Sequence, residues 1–224
     1  MPVIKYQIKG SDYVGIFASS SDRHVFLGGS LTHGSKKLLA ETLGAEPVDV
    51  SVASSDLVGL FTRSNSNGIL ISNLITDYEI EALRSKGLGI NIGVLESDIN
   101  AVGNNILAND KIAMINPEYD QRAERQIADV LGVEVIRASV GGFKTIGANN
   151  ILTNKGLAIN NRSTEQEKQM ADRATGFDSI RTTANTGGLS IGLSSIANSR
   201  AAIVGDGTTG YELNRIMSAL EIND

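Results

Sequence analysis

Five glycines recur along this chain at almost constant spacing: Gly15, Gly59, Gly103, Gly147 and Gly192 are separated by 44, 44, 44 and 45 residues. Each sits in a similar string: YVGIF, LVGLF, AVGNNI, TIGANNI and SIGLSSI. A fixed period of this length marks a supersecondary unit that cannot bury its own apolar face and stacks on copies of itself. A second set keeps step, with Gly44, Gly87, Gly132 and Gly176 trailing by 29, 28, 29 and 29 residues. Each of these closes a charged stretch patterned as a helix (KKLLAETLG, DYEIEALRSKG, QRAERQIADVLG, EKQMADRATG). There a glycine is the expected C-terminal cap, because it enters the left-handed region without steric cost.

Within each unit the order reads strand, loop, strand, helix, strand, with the leading glycines, Asn104 and Asn149 in the first strand. The second strands are HVFLGG, GILISNL, KIAMINP, GLAINNR and AAIVGDG, all short and apolar. Helix starts show capping-box spacing at Thr76 and Glu79, Ser163 and Gln166, and Thr209 and Glu212. Closing strands follow only four helices (VDVSVAS, INIGVLES, VEVIRASV, FDSIRTTAN), since the fifth helix ends the chain. The missing one stands at the front. VIKYQIKGSDYVGIF aligns with PVDVSVASSDLVGLF from the first junction, Ser11 and Asp12 against Ser55 and Asp56. The N-terminal strand, residues 3–9, is therefore expected to complete the last unit and leave no free sheet edge. An open solenoid would need distinct polar caps at its ends, whereas these ends complement each other. The expectation is an α/β protein of one domain, 1–224. It would be a closed five-bladed β/α propeller of ββαβ repeats at about 11–54, 55–98, 99–142, 143–187 and 188–224, with pseudo-fivefold symmetry.

Aromatic residues make up only 4% of the chain, so Val, Ile, Leu and Ala must fill the core and the elements must pack closely. A net charge of −5 argues against a partner held mainly by phosphate neutralisation. There is no cysteine, which removes disulfides, thiolate metal sites and thiol nucleophiles. The opening residues lack an apolar signal segment and no apolar run approaches the ~20 residues that span a bilayer. A cytoplasmic protein without membrane contact is expected.

Five ββαβ units around a pseudo-fivefold axis resemble the pentein fold, which carries guanidino-modifying enzymes and the initiation-factor-6 family of ribosome anti-association factors. The enzymes need a cysteine nucleophile activated by histidine and carboxylates. This chain has none, and its only histidines, His24 and His33, lie in the first unit. The strings GNNILANDKIAMINPEYD (from Gly103), ADVLGVEV (from Ala128), IGANNILTNKG (from Ile146) and IANSRAAIVGDGTTGYEL (from Ile196) resemble units of the ribosomal factors. The resemblance covers essentially the whole chain. It implies a protein that binds the large (50S) ribosomal subunit on its joining surface and blocks the small subunit by occlusion. The implied contacts are an interface ribosomal protein and the sarcin–ricin loop of the large rRNA. It implies no catalysis and no cofactor, and the contact face would expose residues just after the leading glycines: Leu60 and Phe61, Asn104 and Asn105, Ala148 and Asn149. Asn65 is added as a recurrent loop asparagine. Eukaryotic relatives carry a positive charge where Leu60 stands, and Arg63 is the nearest cation that could replace it.

Other features read as structural. Loop-tip asparagines such as Asn67 tolerate left-handed backbone. GDGTTG, from Gly205 to Gly210, lies where each unit turns into its helix, without a P-loop lysine or a metal-binding set. His24 and His33 lack partners at ligand or triad spacing. Asp12 and Asp56 occupy equivalent positions, which points to turn or capping duty. STEQEKQMADR is the solvated face of the fourth helix. A monomer is expected, and the rival to ribosome binding is a scaffold of the same fold with another partner.

Overall fold

The computed structural model describes residues 2–222. Its strands form five sheets of three, and every sheet is built alike. In the first, β2 (Ala18–Ser20) pairs antiparallel with β3 (His24–Gly28), and β3 pairs parallel with β4 (Glu46–Val50). The parallel step needs a crossover, which α1 (His33–Leu43) supplies. The next three sheets repeat this plan. They hold β5 (Thr62–Ser64), β6 (Gly68–Ser72) and β7 (Asn91–Leu95); β8 (Ile106–Ala108), β9 (Ile112–Ile115) and β10 (Glu134–Arg137); and β11 (Ile151–Leu152), β12 (Leu157–Asn160) and β13 (Ile180–Thr182). Each middle strand is buried along its whole length, as expected of a strand covered on both faces.

The fifth sheet takes its third strand from the other end of the chain. β14 (Ser195–Ala197) pairs antiparallel with β15 (Ala202–Gly205), and β1 (Val3–Tyr6) lies parallel to β15 in the register Val3 to Ala202. The Ala202 N–H donates to Pro2 O at 2.9 Å, extending the ladder. This is the pairing that the aligned ends of the sequence require.

The apolar core is divided into five clusters, and each is shared by two successive units. Phe26 and Val48 of the first unit pack with Ile69, Ile71 and Leu83 of the second. Leu70 and Leu95 meet Ile106, Ile127 and Leu131. Leu107 and Met114 meet Ile146 and Ile159. Ile151 and Ala158 meet Val204 and Ile216. The remaining cluster joins Ile196 and Ile203 of the fifth unit to Val14 and Leu27 of the first. Burial at unit boundaries explains how a chain so poor in aromatics acquires a core.

The crossover helices after the second to fifth middle strands are α3 (Asp77–Arg84), α5 (Gln121–Leu131), α7 (Glu165–Thr175) and α8 (Gly210–Ala219). Gly44, Gly132 and Gly176 are left-handed caps, with φ of 57°, 63° and 77°. Gly87 also has positive φ, but α3 stops earlier and Ser85 caps it in the right-handed region. Capping boxes form at Thr76 with Glu79 and Thr209 with Glu212. The third lies one residue beyond the expected Ser163 and Gln166, at Thr164 with Glu167. Arg181 Nε holds the Ser163 hydroxyl and carbonyl instead, at 3.0 and 3.1 Å. On α7 only Ala171 is buried, so its charged face is solvated as expected.

The leading glycines are not in strands. Four lie in single helical turns that precede the first strands, Val14–Ile16, α2 (Val58–Phe61), α4 (Val102–Asn105) and α6 (Ile146–Asn149), and Gly192 lies in a non-helical turn ahead of β14. Asn104 and Asn149 are therefore turn residues. The period is explained by packing. A Cβ added to Gly59 would collide with Gly15 O, one on Gly103 with Gly59 O, one on Gly147 with Gly103 O, and one on Gly192 with Gly147 O. A Cβ on Gly15 would collide with Gly192 O. Each unit thus rests its glycine on the backbone of the one before, and the first rests on the last.

Candidate functional site

Single turns beside the glycines form one face of this assembly. The α2 turn touches the Val14–Ile16 turn on one side and α4 on the other, and α4 touches α6. Backbone bonds tie in the fifth unit, from Gly15 N–H to Leu193 O at 2.8 Å and from Leu193 N–H to Ala148 O at 3.1 Å. Because all these turns are held by neighbouring backbone, the side chains they carry are presented on a fixed frame.

The residues expected at a contact face separate sharply. Leu60, Phe61 and Asn104 are half-buried and reach solvent. Asn105, Ala148 and Asn149 are buried. Asn105 donates to Ala101 O at 2.8 Å and accepts from Asn116 Nδ2 at 2.8 Å. Asn149 donates to Thr145 O at 2.9 Å and accepts from Ser190 Oγ at 3.4 Å. Both carboxamides are thus occupied within the chain. Asn104 Oδ1 is shut off from solvent without a partner, but its Nδ2 reaches solvent and donates to nothing among the described residues, so this asparagine offers a free donor beside Leu60 and Phe61.

Asn65 lies beyond β5, away from the turns, and is 2% exposed. Its amide donates to Asn109 O at 2.9 Å and Leu131 O at 2.8 Å, and its Oδ1 accepts from Asn67 N–H and Gly68 N–H. Asn109 repeats the reach to Thr153 O at 3.1 Å, and Asn198 to Ser21 O at 3.2 Å and Leu43 O at 2.8 Å. These side chains are inter-unit staples, because a carboxamide can pair with backbone as another peptide would. Arg63 also turns inward, donating from Nη2 to Gly103 O at 2.5 Å. It puts no charge beside Leu60.

The carboxylates hold turns. Asp56 accepts from Lys9 Nζ at 2.7 Å, from Ser30 N–H at 3.1 Å and from the Ser30 hydroxyl. Its burial would raise the pKa, but these bonds win and hold it at about 2. Asp12, 44 residues earlier, accepts from Gly207 N–H at 3.3 Å. The GDGTTG segment forms the β15–α8 turn, where Glu212 accepts from the Thr209 N–H at 2.8 Å and Gly187 N–H at 2.7 Å. Carboxylates thus take donors that an anionic ligand would need. His24 is buried on β3 with Nδ1 unpartnered, and burial lowers its pKa; His33 is exposed on α1. Among the described residues no cluster of three or more His, Asp or Glu side chains is placed to hold a metal ion, and no helix is long and apolar enough to cross a membrane.

Known proteins resemble this chain over its length. Translation initiation factor 6 of Picrophilus torridus is 34% identical over 217 residues, covering 96% of this chain and 98% of its own. The Pyrococcus horikoshii protein of the same name is 31% identical over 98% of this chain and 99% of its own. That of Methanosarcina mazei is 33% identical, over 95% of each. Among solved structures, an amidinotransferase of saxitoxin biosynthesis from Microseira wollei aligns at a TM-score of 0.34 and 16% identity, over 55% of this chain and 38% of its own. That likeness is too slight to assign a fold. The eIF-6 family matches residues 3–219, essentially the whole repeat array with its closing first strand, and the chain belongs to that family.

Proposed function

We propose that this protein is a translation initiation factor that acts by occlusion, without a chemical step. It binds the large ribosomal subunit at the surface that faces the small one and keeps the two apart. The observation that carries this reading is the full-length similarity to relatives named translation initiation factor 6. The scaffold is one closed domain, a five-bladed propeller of pentein type. The cyclic glycine contacts and the pairing of β1 with β15 support it. The contact face centres on Leu60, Phe61 and Asn104, two apolar side chains beside an amide with unused capacity. With a net charge of −5, docking chiefly on a basic interface protein, with the sarcin–ricin loop beside it, is electrostatically favoured over docking on rRNA alone. The protein works as a cytoplasmic monomer and needs no cofactor.

The test is sucrose-gradient sedimentation with purified archaeal subunits, separately and mixed. Co-migration with the large subunit alone, and fewer joined particles in the mixture, is the expected result. Asn104→Asp, which adds a desolvated charge at the face, should weaken co-migration at least tenfold. Wild-type protein that stays at the top of the gradient would leave a scaffold for a different partner.

A further inference from the structure

Beneath the glycine contacts lies a small polar cavity of about 40 Å³. All five leading glycines line it, together with Arg63, Ser195, Ser19 and Ser20. Arg63 is the cation of this cavity. One Nη2–H donates to Gly103 O, while Nε is shut off from solvent with no partner among the described residues. No carboxylate lies within ion-pair distance of it among the described residues. Burial pushes its pKa down to about 10, which leaves the guanidinium charged at neutral pH. A second group is also unsatisfied: Ser195, on β14, is 7% exposed and its hydroxyl has no partner among the described residues. Ser19 and Ser20 are already engaged, with Ser64 Oγ and Ala197 O.

We infer that this cavity is a binding site for a small monovalent inorganic anion, of halide or nitrate size, held by the Arg63 guanidinium and the Ser195 hydroxyl. Arg63 as a whole is half-buried, but its Nε is shut off from solvent; a charge so placed without a counter-charge is costly, and arginine does not shed its proton to escape the cost. An anion satisfies the guanidinium and the serine together. A cavity of about 40 Å³ exceeds the ~10–15 Å³ that one water needs, yet it is too small for a sugar acid or a nucleotide. Charge sets a further limit. The adjoining cleft, which shares Ser20, Ala108, Leu152 and Ala197 with the cavity, carries Asp22 and Asp110. Both are bonded to Asn154 Nδ2, at 2.9 and 2.7 Å, and their charge disfavours a divalent occupant. This site is independent of ribosome binding.

The test uses the whole protein. Thermal melts in sodium bromide, sodium nitrate and sodium gluconate at equal ionic strength compare anions that fit with one that does not. Bromide-soaked crystals locate the ion by anomalous scattering. The expected result is a bromide peak within hydrogen-bond reach of Arg63 and Ser195. Bromide and nitrate should also raise the melting midpoint saturably over gluconate, by roughly 3–5 °C at ten times the dissociation constant. Ser195→Ala should raise the half-saturating bromide concentration several-fold and leave the gluconate melt near wild type, and Arg63→Gln should abolish the bromide effect. If Arg63→Gln fails to fold, the wild-type anion series and Ser195→Ala still decide. Bromide and gluconate melts that coincide, or a peak elsewhere, would overturn the inference. A peak at Arg63 with no saturable, Ser195-dependent shift would mean an adventitious ion only.

Discussion

Asparagine does two kinds of work in this chain, and the repeat shows which is which. The position of Asn65 is occupied by Ser21, Asn109, Thr153 and Asn198 in the other units, all side chains that can bond to backbone. The position of Asn104 is Ile16, Leu60, Ala148 and Leu193 elsewhere, so the frame does not need an amide there. Asn65→Ala should therefore strand the Asn109 carbonyl and the Gly68 N–H, while Asn67 Nδ2 still holds Leu131 O, and lower stability by about 1–3 kcal/mol. A urea melt would show a lower midpoint at unchanged slope, with co-sedimentation retained. Asn104→Leu, the residue that two other units carry there, should do the reverse, keeping the midpoint and weakening co-sedimentation. Local sequence puts both asparagines on the expected contact face and Arg63 beside Leu60. The direction of each side chain is decided by the neighbouring unit, 44 residues away, and local pattern does not carry that information. Comparing equivalent positions across the repeats was the signal that could have separated them.

Three crossover helices are tied to the turn of the unit before them by a carboxylate that accepts hydrogen bonds from that turn. Glu79 closes the α3 capping box and also accepts from Ser51 Oγ at 2.7 Å, Ala53 N–H at 3.0 Å and Ser54 N–H at 2.8 Å. Ala53 and Ser54 have φ of 53° and 58°, a costly conformation for residues with a Cβ, and the carboxylate fixes it. Glu212 does the same for Thr186, at φ 62°, and for Gly187; Glu167 makes the α7 box. Burial would raise the Glu79 and Glu212 pKa values, but the bonds from Thr76 and Thr209 and from the turns outweigh it, and both lie at about 2. Against an ordinary value of 4.5, the stabilisation is complete above that pH and is lost as the pH falls toward 2. Urea midpoints measured from pH 7 to pH 2 should fall across that window, and Glu79→Gln should flatten part of the fall. Two of these boxes were legible from Thr-x-x-Glu spacing. The third is ambiguous in sequence, because Ser163 with Gln166 and Thr164 with Glu167 satisfy the same pattern; the pull of Arg181 on Ser163 separates them. The single turns around the glycines were read as strands for a related reason: an apolar string of five residues fits either state.

At the scale of the whole molecule, the five leading glycines act together, each bearing on its neighbour's backbone. Gly103→Ala should cost more than about 3 kcal/mol, because the colliding atom is the Gly59 carbonyl and cannot swing aside. Gly34→Ala, with open space around it, is the control, and both can be read from thermal melts. The repeat plan and the pairing of the first strand are legible in the period and the complementary ends of the sequence. The cavity was not readable, since its lining comes from all five units at once. The pairing of β1 with β15 has a temporal side as well. Val3 is made 199 residues before Ala202, so at roughly 5–20 residues per second the first strand waits about 10–40 s for its partner to be synthesised. Val3 and Ile222 share one apolar cluster, so a short linker can join the ends. A permuted chain that starts at residue 10 would deliver residues 3–9 last, directly after α8. It should reach the protease-resistant state without that delay in a translation-coupled assay. The natural order leaves an unpaired strand at the front of every nascent chain until the last unit emerges, a hazard imposed by the direction of synthesis.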